Sequence, residues 1–363
     1  MRICVLSERM APPFDEGIKN YALHLAQGLG AHHDVLTLTT LGRSAPEFGV
    51  RNVASNRLLL SAPLARILRD FGADLVIYIP TACATFFSSL RTRLLKRYAR
   101  GVPVVEVALQ VRRYGPLSRL LMPPLRPDLV LVQSERTRGL LEGLGYRTAF
   151  CTPGVDMERF RPVDKVERDV LRRRYGLPPD SYIILHVGHL RRERNVQTLK
   201  AIQRGAENQV VVVGSSSTPQ EGALVKELSR AGVRVIDEYI PQIAQVYQMA
   251  DCYVFPTTSE MSAIDVPLSV LEAMACDLCV VSTPFGGLPA LFESGPGFRY
   301  VEDKEQMIRA VEASKRVERP HTREMVEHYA WPRVARRTLQ TICRVLALED
   351  GVHRKQVAQG GKS

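Results

Sequence analysis

Asp265-Val266-Pro267-Leu268-Ser269-Val270-Leu271-Glu272-Ala273-Met274-Ala275-Cys276 places one glutamate inside an otherwise apolar helical stretch. Val270, Leu271, Ala273, Met274 and Ala275 surround Glu272, so the helix has little polar face to spare. Burying an unpaired carboxylate costs several kcal/mol, so this one needs a partner or a ligand. A strand-like run precedes the helix (Asp251-Cys252-Tyr253-Val254-Phe255-Pro256), and another follows it (Leu278-Cys279-Val280-Val281-Ser282-Thr283). The three together read as a βαβ unit whose helix opens at the carboxyl edge of a parallel sheet, where such folds bind ligands.

The same alternation runs in both directions from this unit. Residues 34–39, 74–79 and 128–132 are apolar runs of strand length, with helical patterns between them over Ile18–Leu29 and Ser134–Leu144. The pattern breaks around Cys151-Thr152-Pro153-Gly154-Val155-Asp156. A second series starts at Tyr182-Ile183-Ile184-Leu185-His186-Val187-Gly188 and continues through 209–214, 233–236, 251–255 and 278–282. This predicts two doubly wound α/β halves in sequence. A helical stretch, Trp331–Leu348, follows. The tail 351–363 is polar and Gly-containing, with the composition of disorder.

The chain of 363 residues has ordinary globular composition and a net charge of +11. Its charge is uneven: 22 Lys/Arg against 13 Asp/Glu in residues 1–162, but 27 against 25 in the remainder. The basic half suits solvation, an anionic substrate or an anionic membrane surface. No aromatic-interleaved basic stripe appears, so nucleic acid is not expected as a partner. The longest uncharged stretch, Leu75–Leu90, contains Pro80 and is too short to span a bilayer. No secretory signal is read at Arg2–Glu8. Seven scattered cysteines point to buried thiols in a reducing compartment. Cys276 and Cys279 form a C-x-x-C without a second ligand pair, so core packing is expected rather than zinc.

The ordered set of motifs resembles retaining glycosyltransferases of family 4. It comprises Val132-Gln133-Ser134-Glu135-Arg136-Thr137, the run Thr152–Pro162, Val187-Gly188-His189-Leu190-Arg191-Arg192-Glu193-Arg194, Leu271-Glu272-Ala273-Met274-Ala275 and Gly286-Gly287-Leu288-Pro289. The resemblance implies the GT-B fold: two Rossmann-like domains facing across a cleft. The expected boundaries are an acceptor-side domain at 1–160, a nucleotide-sugar domain at 161–328, a returning helix at 329–350 and the tail. The implied activity is metal-independent transfer, with retention, from a UDP- or GDP-activated sugar to a glycan or lipid-linked acceptor. No cofactor is expected, and the expected location is the cytoplasm or the inner membrane face.

By this resemblance Glu272 accepts hydrogen bonds from the donor ribose. Gly188, His189 and Arg194 take the phosphates, with His189 and Arg194 standing where the family has an arginine and a lysine. His189 would be only partly charged near neutral pH, and Arg191 and Arg192 are its substitutes. Leu268 and Ser269 offer helix N-terminal amides, Gly286 and Gly287 offer amides past a strand, and Gly17 opens the first helix, where Lys19 and Asn20 either assist it or are surface residues. The family's paired acid would stand at 264, which is Ile264. Asp265 is the catalytic candidate instead, or else a helix cap, with Glu260 in reserve. A family histidine after the strand at 102–107 is replaced by Ala108-Leu109-Gln110, leaving Gln110 and Glu106 as candidates. These departures motivate the alternative of a non-catalytic subunit. Segments 63–71, 90–100 and 112–126 mix arginine with large apolar residues. They are membrane-facing or else the exposed sides of core-packed helices.

Overall fold

A computed structural model describes residues 1–205, 207–217 and 220–348. The expected tail at 351–363 lies outside the described residues.

The chain divides into two compact units. The first comprises Met1–Phe14, Ile18–Thr152 and the segment from Trp331 onward; the second comprises Asp15–Gly17 and Pro153–Ala330. The division at Thr152/Pro153 falls eight residues before the boundary expected at 160. The connecting segment is tied early into the second unit, where Val155 N donates to Tyr329 O at 2.9 Å.

In the first unit, β1 (Arg2–Arg9), β2 (Asp34–Leu41), β3 (Val50–Asn52), β4 (Leu75–Ile79), β5 (Val104–Ala108), β6 (Leu129–Val132) and β7 (Thr148–Phe150) form a parallel sheet in the order 3-2-1-4-5-6-7. The second unit has β8 (Tyr182–Val187), β9 (Asn208–Val213), β10 (Arg234–Ile236), β11 (Cys252–Phe255), β12 (Cys279–Ser282) and β13 (Phe298–Tyr300), in the order 10-9-8-11-12-13. Both sheets reverse direction beside their first strand, so each has a topological switch point, between β1 and β4 and between β8 and β11. The central strands are buried on both faces, which is why they read as continuous apolar runs.

Helices cover these sheets. α1 (Gly17–Gly30), α2 (Ala62–Phe71), α3 (Phe86–Tyr98), α4 (Pro116–Leu121) and α5 (Glu135–Glu142) follow the strands of the first unit. Leu64 and Leu68 of α2 and Leu95 of α3 enter the core, so segments 63–71 and 90–100 are core-packed helices. Segment 112–126 differs. Met122 is buried, but Leu117, Leu120 and Leu121 of α4 are 68%, 73% and 40% exposed. In the second unit come α6 (Lys165–Arg174), α7 (Gly222–Arg230), α8 (Ile243–Gln248), α9 (Leu268–Ala275), α10 (Leu288–Leu291), α11 (Lys304–Ser314) and α12 (Thr322–Val326).

The last helix, α13 (Trp331–Leu346), packs within the first unit. Trp331 meets Tyr21 edge-on, with ring centroids 5.6 Å apart, and stacks on His24 at 5.4 Å. A Cβ on Gly28 would stand 2.7 Å from Ala335 Cβ, so the glycine permits α1 and α13 to approach. All seven cysteines are buried, and none is in a disulfide. Among the described residues no helix is long and apolar enough to cross a membrane, and no His/Cys/Asp/Glu group could hold a metal ion.

Candidate donor site of the second unit

α9 connects β11 to β12, which pair in parallel, as the opening stretch predicted. Pro267 stands at its N-cap with φ −65° and supplies no side-chain cap. Asp277, at φ +57°, carries the chain away from it. Leu268, Val270, Leu271, Ala273, Met274 and Ala275 are all buried. Ser269 and Glu272 are the half-buried residues of the helix, and their i,i+3 spacing puts them on one face.

That face meets two tyrosines. The Tyr247 hydroxyl donates to Glu272 Oε2 at 2.7 Å, and the Tyr253 hydroxyl donates to Ser269 Oγ at 2.7 Å. Burial pushes the Glu272 carboxyl above its ordinary range, against the opposing pull of the Tyr247 hydroxyl and of Arg159. One oxygen of the carboxylate has its partner, and an ionised carboxylate can accept more.

Gly188 follows β8 at the switch point, and Arg194 folds back over it. A Cβ on Gly188 would stand 2.8 Å from Arg194 Nη1, so only glycine leaves the guanidinium this position. Arg194 Nε donates to Ser262 O at 2.9 Å. Among the described residues no carboxylate forms an ion pair with Arg194. Burial lowers its pKa to about 10, so it stays charged at neutral pH. A desolvated, forked cation without a counter-ion suits a phosphate.

His189 departs from expectation. Burial, then the charges of Arg194 and Arg191, bring its pKa down to about 4. It is neutral at physiological pH, so it offers a hydrogen bond and no charge. Arg192 does not substitute, because it pairs with Glu227, which also holds Lys200. Arg191 lies 3.7 Å from Glu193.

Asp265 is buried, and the helix-cap reading is corrected: the N-cap is Pro267, two residues on. The Asp265 carbonyl accepts from Gly287 N at 2.8 Å. A Cβ on Gly286, whose φ is +55°, would stand 2.1 Å from that carbonyl. Gly286 thus allows one loop to close on the other, and the Gly287 amide, expected to face a donor, is already engaged. Ile264 is buried, and a Cβ on Gly17 would stand 3.0 Å from its Cδ1.

Three groups were not foreseen. Tyr253 stands out in the sequence only as part of a strand-like run and Tyr247 not at all, yet their hydroxyls hold both polar side chains of α9. The Asp15 carboxylate accepts from Ser215 Oγ (3.1 Å), Ser216 N (2.8 Å), Ser216 Oγ (2.8 Å), Ser217 N (3.0 Å) and Ser217 Oγ. Burial opposes its ionisation, but these serine bonds prevail and hold its pKa below the usual value. The run of three serines was the available signal.

In the first unit Gln110 sits just past β5, half-exposed, and its carbonyl accepts from Cys83 Sγ at 3.3 Å. Glu106 is fully buried and accepts from Ala84 N at 2.6 Å. Burial raises its pKa to about 7. It is a core acid, inaccessible to an acceptor. Lys19 and Asn20 donate to Pro13 O and Phe14 O, each at 3.2 Å, and brace their own loop.

Residues 181–314, the span that carries Gly188, Arg194, Asp265, Glu272 and Gly287, match the family model for glycosyl transferases group 1. Over this stretch the chain is similar to glycosyl transferases group 1. The D-inositol 3-phosphate glycosyltransferase of Actinosynnema mirum is 32% identical over 189 residues, 45% of this chain and 42% of that protein. Matches to such curated relatives span about half of their length or less. The likeness to solved structures, all below 20% identity among those compared, is one of fold. The crystal structure of Anabaena Alr3699/HepE in complex with UDP superposes with a TM-score of 0.74 at 15% identity, covering 95% of this chain and 100% of that one. Sucrose-phosphate synthase (tll1590) from Thermosynechococcus elongatus gives 0.73 at 18% identity, covering 95% and 99%. The fold is GT-B.

Proposed function

We propose that the protein is a retaining, metal-independent glycosyltransferase that takes a UDP- or GDP-sugar and transfers the sugar to a glycan or lipid-linked acceptor. The observation that carries this reading is Glu272. It is a carboxylate on an otherwise buried helix that follows β11, held by one tyrosine with acceptor capacity to spare. In this reading Glu272 accepts from the ribose hydroxyls, Arg194 and the first amides of α9 take the diphosphate, and Asp265 lies toward the sugar. The leaving phosphate receives the acceptor proton on the face of attack. Gln110 serves the acceptor.

The relatives support the class of reaction. The A. mirum protein is named for transfer to inositol 3-phosphate, and a putative teichuronic acid biosynthesis glycosyltransferase from Bacillus subtilis is 25% identical over 150 residues. An envelope polysaccharide or its lipid-linked precursor is the acceptor class we favour. Residues 86–126 contain nine Lys/Arg and one acid, the buried Glu106, around the exposed leucines of α4. That combination suits peripheral contact with an anionic membrane surface on the cytoplasmic side.

The test is a thermal-shift screen of UDP- and GDP-sugars, followed by product detection with a membrane-extract acceptor for wild type and Asp265→Asn. A stabilising donor with turnover that falls in Asp265→Asn supports the reading. Buried Ile264, standing where the resemblance puts an acid, favours a second reading, a non-catalytic nucleotide-sugar-binding subunit. Donor binding without transfer to any acceptor would select it.

A further inference from the structure

His186, near the end of β8, is fully buried, and one side of its ring is unsatisfied. Nδ1 lies 2.9 Å from Val254 O on β11. A carbonyl only accepts, so Nδ1 carries the proton and Nε2 is a bare acceptor. Among the described residues nothing donates to Nε2. The ring cannot turn to relieve this. It is held by the Val254 bond and lies between Tyr253 and Phe255, with centroids 6.3 Å and 6.4 Å away. Leaving a buried acceptor empty costs about 1–3 kcal/mol, a penalty that a phenylalanine in the same slot would not carry.

The orphaned nitrogen faces the phosphate loop. The point where a Gly188 side chain would begin is 3.3 Å from His186 Nε2 and 2.8 Å from Arg194 Nη1. An acceptor lacking a donor and a donor lacking an anion thus flank one small space beside the glycine.

We propose that His186 is a positioning residue for Arg194, its Nε2 accepting a hydrogen bond from Nη1 when the guanidinium closes on the diphosphate of a nucleotide ligand. The proposal rests on the diphosphate role given to Arg194 above. With Nε fixed on Ser262 O and Nη1 on His186, the remaining N–H groups point in a set direction toward phosphate oxygens. A neutral ring is required, and burial supplies it by holding the His186 pKa to about 4.

The experiment is calorimetry with UDP, GDP, uridine and guanosine on wild type, His186→Phe, His186→Gln, Arg194→Ala and the double variant. His186→Phe is expected to weaken the preferred diphosphate about ten-fold while leaving its nucleoside unchanged. His186→Gln, whose Oε1 lies near the place of Nε2, should recover most of that loss. In the Arg194→Ala background His186→Phe should add nothing. Additive losses, or equal losses for nucleoside and diphosphate, would overturn the proposal. An Arg194→Ala protein that binds diphosphate normally would instead refute the role given to Arg194. If His186→Phe folds too poorly to titrate, histidine 15N spectra of the wild type decide. Nε2 of His186 should gain a hydrogen-bonded shift on adding the diphosphate, and an unmoved resonance would reject the idea.

Discussion

The Tyr247 hydroxyl donates to Glu272 Oε2 across 2.7 Å, joining α8 to α9 under the candidate nucleoside site. The bond holds the carboxylate in place and partly offsets its burial. Glu272 thus has a structural partner and spare acceptor capacity together.

Glu272→Gln should keep the fold, since Tyr247 can still donate to the amide oxygen and a buried charge is removed. Nucleoside affinity should fall roughly 10- to 150-fold, the equivalent of about 1.5–3 kcal/mol for a charged hydrogen bond. Calorimetry with the preferred nucleoside and a melting curve check both parts. Unchanged affinity with a lower melting temperature would make Glu272 structural.

The same residue gives a pH dependence. Burial raises the Glu272 pKa in the folded protein, so its protonated form is favoured there and its ionisation costs stability as pH rises through the folded value. If Glu272 accepts from a ribose in its ionised form, as proposed, nucleoside binding should strengthen over that same rise. Tyr247→Phe removes the bond that favours ionisation, so it should shift the binding transition to higher pH.

His189 and His186 are both held near pKa 4 by burial, against about 6.5 for the free side chain. A depressed histidine pKa contributes stability that is complete above the unfolded value and is lost as pH falls toward the folded one. Denaturation midpoints should decline between about pH 6.5 and pH 4, and His189→Gln should flatten part of that decline. Diphosphate affinity should not rise below pH 6.5, contrary to what a half-charged His189 would give.

Gly188→Ala and Gly286→Ala should behave oppositely. At Gly188 the new methyl meets the side-chain end of Arg194 rather than backbone, so diphosphate binding should suffer more than the melting temperature. At Gly286 it meets the Asp265 carbonyl at 2.1 Å in a left-handed backbone, so the second unit should lose at least about 1–3 kcal/mol of stability. Chemical denaturation and diphosphate titration of both variants separate the two effects.

Leu117→Ser with Leu120→Ser should reduce sedimentation with phosphatidylglycerol vesicles without lowering the melting temperature, because both leucines are exposed already. Wild-type protein should sediment poorly with phosphatidylcholine alone, and added salt should weaken the anionic case. Equal partition onto both vesicles would remove the charge argument.

By itself the sequence determined the two α/β halves, the strands of residues 34–39, 74–79 and 251–255, and the helix that carries Glu272. Buried parallel strands are continuous apolar runs, and the isolated glutamate contrasts with its neighbours within one helical turn. Short edge strands such as β3, β7 and β13 escaped because three residues hold too little pattern. What joins Glu272 to Tyr247, Gly188 to Arg194 and His186, and Asp15 to three serines is not periodic. Glu272 and Tyr247 lie 25 positions apart and Asp15 and its serines about 200, so only the packing of the chain brings them into contact, and the fold of Arg194 back over nearby Gly188 follows no helix or strand period. Tertiary burial also decided charge. It favours the neutral rings of His189 and His186 and raises the pKa of the Glu272 carboxyl, because the cost of desolvating a charge depends on what surrounds it in space.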